Sequence, residues 1–233
     1  MLQMPNHFPL QSILVSALLW LASAAHAAPL SPPLQAELDA AVARYEAGDL
    51  AAAHKAFEGL SRRGLASADY NLAVMHLRGE LPRASLPRAE QLLLRSARAG
   101  FVTAQLMLAR ALETGDLGRR DLPQAHRWYE LAATGGSVDA QVAMGTGYYL
   151  GRGLPKDAAQ AAHWFREAAK GGDVGAMYLL ASMYEQGDGV ETDLRLARYW
   201  YGVAASQGDV AAPAKLKEIE ARIASAQPAK ERP

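Results

Sequence analysis

From residue 64 to residue 207 the apolar positions fall at helical spacing, in runs that end at glycine and restart after an aspartate or serine. The first runs predict helices over 66–78, 102–114, 138–150 and 174–186. The second runs predict helices over 86–98, 122–134, 158–170 and 194–206. The pattern repeats without a gap every 36 residues: Gly64, Gly100, Gly136, Gly172 and Gly208 are in register. So are Ala68, Ala104, Ala140, Ala176 and Ala212, then Gly79, Gly115, Gly151 and Gly187, then Ala89, Ala125, Ala161 and Ala197. The glycines suit helix ends that need positive φ. Asp121, Asp157 and Asp193, with Ser85 in the same place, suit N-caps. Pro87 and Pro123 fall in the first turn, where a missing N–H costs little.

Each unit is therefore helix, short loop, helix, short loop. The recurring alanines let helix backbones approach closely. Leu72, Leu108, Met144 and Leu180, with Leu112, Tyr148 and Tyr184, fill the space beside them. A single helical hairpin cannot bury its own apolar face, so the units must stack and share a core. Upstream, 34–63 reads as a further helix pair turning at Gly48-Asp49, with Ala53 and Phe57 in the core positions. Downstream, 208–225 begins like a first helix and then turns charged, as a capping helix does. One domain over 32–225 follows: the pair at 34–63, repeats at 64–99, 100–135, 136–171 and 172–207, and the cap. The tail at 226–233 is polar enough to be disordered.

The residues Ala176, Leu180, Ala181, Tyr184, Gly187, Gly189, Val190, Asp193, Ala197, Trp200-Tyr201, Ala204-Ala205 and Gly208 resemble the Sel1-like repeats, relatives of the tetratricopeptide repeats. The copy at 140–172 matches nearly as well, through Gly145, Tyr148, Gly151, Gly153, Asp157, Trp164-Phe165 and Gly172. The copy at 68–100 is degenerate, with Leu92-Leu93 for the aromatic pair and Pro82 in its loop, and the first pair is closer to a tetratricopeptide motif. The resemblance implies an all-α, right-handed α-solenoid that serves as a protein-interaction scaffold, and implies no reaction.

Composition narrows the function. Acidic and basic residues balance at 24 each, so there is no basic surface for nucleic acid. The absence of cysteine removes thiol catalysis, cysteine zinc sites and disulfides. Residues 1–27 hold no Lys, Arg, Asp or Glu, and 13–22 is an apolar core too short to span a bilayer. With Ala25-His26-Ala27 fitting a cleavage site before Ala28, the segment reads as a signal peptide. A periplasmic or secreted location in a bacterium is expected, with no membrane span in the mature chain.

No motif for catalysis, cofactor or metal emerges. The histidines make no H-E-x-x-H pattern and are expected to be scattered and partly exposed. The glycine-rich loops at 151–153 and 187–189 lie between helices and make turns. A non-enzyme is the reading; a carboxylate-based hydrolase is an exception with no motif behind it. The aromatic pairs Trp128-Tyr129, Trp164-Phe165 and Trp200-Tyr201 recur, so they belong to packing, and Trp164 is expected to be buried while His163 faces outward.

Function is then sought where the copies disagree. On the first helices these positions lie 3, 6, 10, 13 and 14 residues after the leading glycine and share one face. They supply a candidate protein-binding groove: Tyr70, Val74, Leu77, Arg78, Leu106, Arg110, Val142, Thr146, Tyr149, Tyr178 and Ser182. Tyrosine and arginine are favoured at binding hot spots. Tyr149 is expected to be exposed, whereas Tyr70 and Tyr178 either face the groove or pack between first helices. The expected partner is a protein segment. The alternative is an envelope or cell-wall protein whose tyrosines stack on a polysaccharide, or one with a role in envelope assembly or regulation.

Overall fold

The computed structural model describes residues 30–226, which form eleven helices and, among the described residues, no strand. They are α1 (Pro32–Glu46), α2 (Leu50–Arg62), α3 (Ala66–Leu77), α4 (Leu86–Arg98), α5 (Val102–Thr114), α6 (Leu122–Thr134), α7 (Val138–Leu150), α8 (Ala158–Lys170), α9 (Val174–Gln186), α10 (Leu194–Ser206) and α11 (Ala212–Ala226). The expected signal peptide and all but the first residue of the expected tail lie outside the described residues. Extended contacts run only between helices adjacent in the chain, which is the arrangement of an α-solenoid.

The helix ends follow the sequence closely. Asp121, Asp157 and Asp193 accept from the backbone N–H of Gln124 (2.9 Å), Gln160 (3.0 Å) and Leu196 (3.0 Å). Ser85 makes no such bond, and α4 starts on the fixed φ of Pro87 instead. First helices are capped too, α7 by Ser137 and α9 by Asp173. The loop glycines do more than turn the chain. A Cβ on Gly189 would stand 2.2 Å from the carbonyl carbon of Ala158, so this loop lies directly on the start of α8 in the preceding repeat.

All the register alanines are buried, from Ala68 to Ala212. The core runs the length of the array: one buried cluster extends from Ala41 to Met144, a second from Ala161 to Ile219, and Tyr148 packs against both. The aromatic pairs correct the expectation for Trp164. The second member is the enclosed one: Tyr129, Phe165 and Tyr201 are 3%, 1% and 0% exposed, while Trp128, Trp164 and Trp200 stay partly exposed. On α8 the buried stripe is Ala161, Ala162, Phe165, Ala168 and Ala169. Phe165 sits at its middle, and Trp164 lies about 100° round the helix. His163 is exposed, as expected. His126 is not: it is buried against the third repeat's loop, with its Nε2 2.8 Å from the carbonyl oxygen of Arg152.

Candidate interaction surface

The first-helix residues in question are less open than their variability implies. Tyr70 is buried, its ring 5.4 Å from that of Phe101. Burial pushes its phenol up to about 12. Val74, Leu77, Leu106 and Val142 are half-buried against the core. Arg78 donates to the Tyr45 hydroxyl, which also donates to Glu80 (2.9 Å), and Arg110 pairs with Asp139 of the next first helix (2.8 Å). Thr146 and Ser182 are half-buried. Tyr178 is half-buried edge-on to Tyr201 of α10 (5.1 Å), so it packs within its own repeat. Tyr149, expected to be exposed, is half-buried edge-on to Phe165 (6.5 Å).

That last contact shows why variation between copies does not equal freedom from packing. In the second, third and fourth repeats the residue 13 after the leading glycine faces the second core aromatic, 16 residues on. The pairs are Glu113 with Tyr129, Tyr149 with Phe165 and Glu185 with Tyr201, and Leu77 and Leu93 hold the same register in the first repeat. Where the core residue is tyrosine, its partner is a glutamate that accepts from the hydroxyl: Tyr129 to Glu113 at 2.6 Å and Tyr201 to Glu185 at 2.9 Å. A buried hydroxyl requires such a partner. Burial first, and the adjoining carboxylate second, raise both phenols above their ordinary value. Where the core residue is phenylalanine there is no hydroxyl to satisfy, and tyrosine takes the glutamate's place. The third repeat compensates once more. Its Gly145 stands where the other copies have Ala73, Ala109 and Ala181, and a Cβ there would lie 2.7 Å from Phe165 Cδ1 and Cε1.

A shallow surface depression opens at this place, between the third and fourth repeats. It is lined by Tyr149, Phe165, Leu179, Ser182, Met183, Gln186 and Asp188. Two of these, Tyr149 and Ser182, are among the groove candidates, and Leu179 beside them is 38% exposed. The other nine candidates lie outside it. The signals that could have marked Leu179 and Asp188 are faint: an apolar residue on a solvent-facing line, and an acid in register with Arg152. No group of three or more metal-ligating side chains is present among the described residues.

The family model for the Sel1 repeat matches four consecutive units, 66–101, 102–137, 138–173 and 174–209, which together make up more than half of the chain. No curated protein matches the chain. Among solved structures it is similar to a Sel1 repeat protein from Oxalobacter formigenes, with 32% identity and a TM-score of 0.66 over 72% of this chain and 49% of that one. It is also similar to c5321, a protective antigen of uropathogenic Escherichia coli strains with an SLR fold, with 29% identity and a TM-score of 0.71 over 80% of this chain and 41% of that one. The chain thus spans about half the length, or less, of these two relatives. The 36-residue register, the shared alanine and glycine positions and the family match lead to one conclusion: the chain belongs to the Sel1 repeat family.

Proposed function

We propose that the protein is an exported, non-catalytic scaffold that binds a segment of a partner protein on its first-helix face, centred on the junction of the third and fourth repeats. Sel1 repeat proteins generally mediate protein–protein interaction. The observation that carries the placement is the depression floored by buried Phe165 and Met183, where half-buried Tyr149 and exposed Leu179 reach the surface beside polar Ser182, Gln186 and Asp188. Such a mixture, an apolar centre with a polar rim, suits a peptide anchor. The scaffold reading also agrees with the lack of any catalytic pattern in the sequence. Export rests on residues 1–27 alone; sequencing of the mature N-terminus should find Ala28 first. Polysaccharide stacking gains no support, because Tyr70, Tyr149 and Tyr178 all turn a ring against another aromatic side chain.

A photoreactive side chain placed at Leu179 tests the reading against one at Leu131, which is 50% exposed on a second helix. The Leu179 probe should crosslink to a protein in cells while the Leu131 probe does not. Crosslinking from Leu131 alone would move the interaction to the opposite face.

A further inference from the structure

We propose that the depression between the third and fourth repeats receives an arginine or lysine side chain from a basic segment of the partner. This rests on the protein-binding reading above and adds the chemistry of what binds. It comes from comparing the repeats with one another. In the second repeat Glu113, held by the Tyr129 hydroxyl, pairs with Arg152 of the following unit at 3.3 Å. In the fourth repeat Glu185, held by the Tyr201 hydroxyl, pairs with Arg222 at 2.7 Å and with Lys215 at 3.5 Å, both on the capping helix. At both places a cation from the following unit covers the acid.

The third repeat has Tyr149 in place of the glutamate, and the position of Arg152 is held by Asp188. The first repeat also has an acid there, Asp116, but Leu77 in place of the glutamate, so the third junction alone sets an aromatic ring beside an acid. Asp188 makes no ion pair with any other side chain among the described residues. The place that the chain fills with its own cation on either side is here left with the complementary charge and an aromatic wall.

The lining fits a long basic side chain. Tyr149, half-buried, offers aromatic surface to a cation, the exposed Leu179 offers apolar surface to its methylene stem, and Asp188 offers an ion pair, over a floor of buried Phe165 and Met183. Gln186 Nε2 donates to Ser182 Oγ (3.1 Å), which leaves the amide oxygen of Gln186 as a further acceptor. The protein already seats its own arginines this way. Arg166 lies 5.9 Å from the centre of the Tyr184 ring and donates to its hydroxyl at 2.9 Å, and Arg78 lies 5.9 Å from the Tyr45 ring. An acidic segment would be repelled by Asp188, and an apolar one would strip water from the carboxylate without replacing it.

The test is selection of short random peptides displayed on phage, using the full chain, with counter-selection on the Asp188→Arg variant, which restores the cation of the second repeat. Asp188 is a loop residue without an ion-pair partner, so its variants should melt like the wild type. Selected peptides should share a basic residue, and synthetic copies should bind the wild type about tenfold more tightly than Asp188→Asn. Replacing that basic residue with methionine should lose a similar factor on the wild type and nothing further on Asp188→Asn. Peptides that lack a basic residue, or that bind Asp188→Asn equally well, yet are weakened by Leu179→Asp, would overturn the basic partner and leave the protein-binding face standing. Failure to select any peptide, or peptides indifferent to both substitutions, would overturn the two together.

Discussion

Removing the Phe165 side chain should be far more damaging than removing the larger ring beside it. Phe165 is 1% exposed at the centre of α8's buried stripe, so Phe165→Ala should cost about 3–5 kcal/mol through lost burial and the cavity left behind. For a chain of this size that is a fall in Tm of roughly 6–20 °C. Trp164→Ala should cost less, about 1–3 kcal/mol, because part of the indole already meets water. Gly145 supplies an internal check. Gly145→Ala gains about 1 kcal/mol of helix propensity. Against this, the new Cβ would stand 2.7 Å from two ring carbons of Phe165, which is 1% exposed, so the buried ring must shift. Overpacking of that kind costs about 1–3 kcal/mol, so the net effect in the wild type should be destabilising or close to neutral. In Phe165→Ala the same methyl group enters the cavity and should stabilise by about 1 kcal/mol. The wild type and the four variants should be compared by urea titration and by amide hydrogen exchange in α7 and α8, since a stacked array can open unit by unit. If Gly145→Ala stabilises both backgrounds equally, or if Trp164→Ala proves the costlier change, the packing described for the third repeat is wrong.

Gly189→Ala should lose about 2–4 kcal/mol, since φ is +70° and the methyl group would meet the backbone of Ala158, whereas Gly172→Ala, with open space at φ +95°, should lose only about 1 kcal/mol; thermal melts compare the two. Tyr45, Tyr70, Tyr129 and Tyr201 hold their phenols above the ordinary value of 10, Tyr70 at about 12. Their contribution to stability is complete below about pH 10, where both folded and unfolded chains keep the proton, and is lost as pH rises through the raised values. Ultraviolet titration of the nine tyrosines should therefore show a late fraction that ionises together with unfolding; a single smooth transition near pH 10 in the folded protein would contradict these environments.

The helices were legible because the same local solution is written four times. Asp121, Asp157 and Asp193 cap where their spacing places them, and the register alanines are buried without exception. Recurrence identified Trp164-Phe165 as a packing pair but not which ring is enclosed, because adjacent helical residues differ by about 100° and repeat together. His126 was harder still. It is unique among the copies, and only the third repeat's loop lying over it, with the Arg152 carbonyl oxygen at Nε2, makes it a buried residue. The candidate surface was read from variability, which fails when two positions vary in concert: Glu113 looks free until Tyr129 is seen to need it. Asp188 gained meaning only when Arg152 was seen paired across the junction of the second and third repeats.

The central claim is that binding falls on the first-helix face where the third and fourth repeats meet. Amide chemical-shift mapping of the isotope-labelled protein, titrated with the partner segment captured from the Leu179 probe, tests it most directly. Shifts should concentrate in the C-terminal turns of α7 and α9 and in the loop through Asp188, with α6, α8 and α10 moving only where they back that site. Shifts centred on the exposed positions of the second helices, around Leu131, His163 and Tyr199, would contradict it.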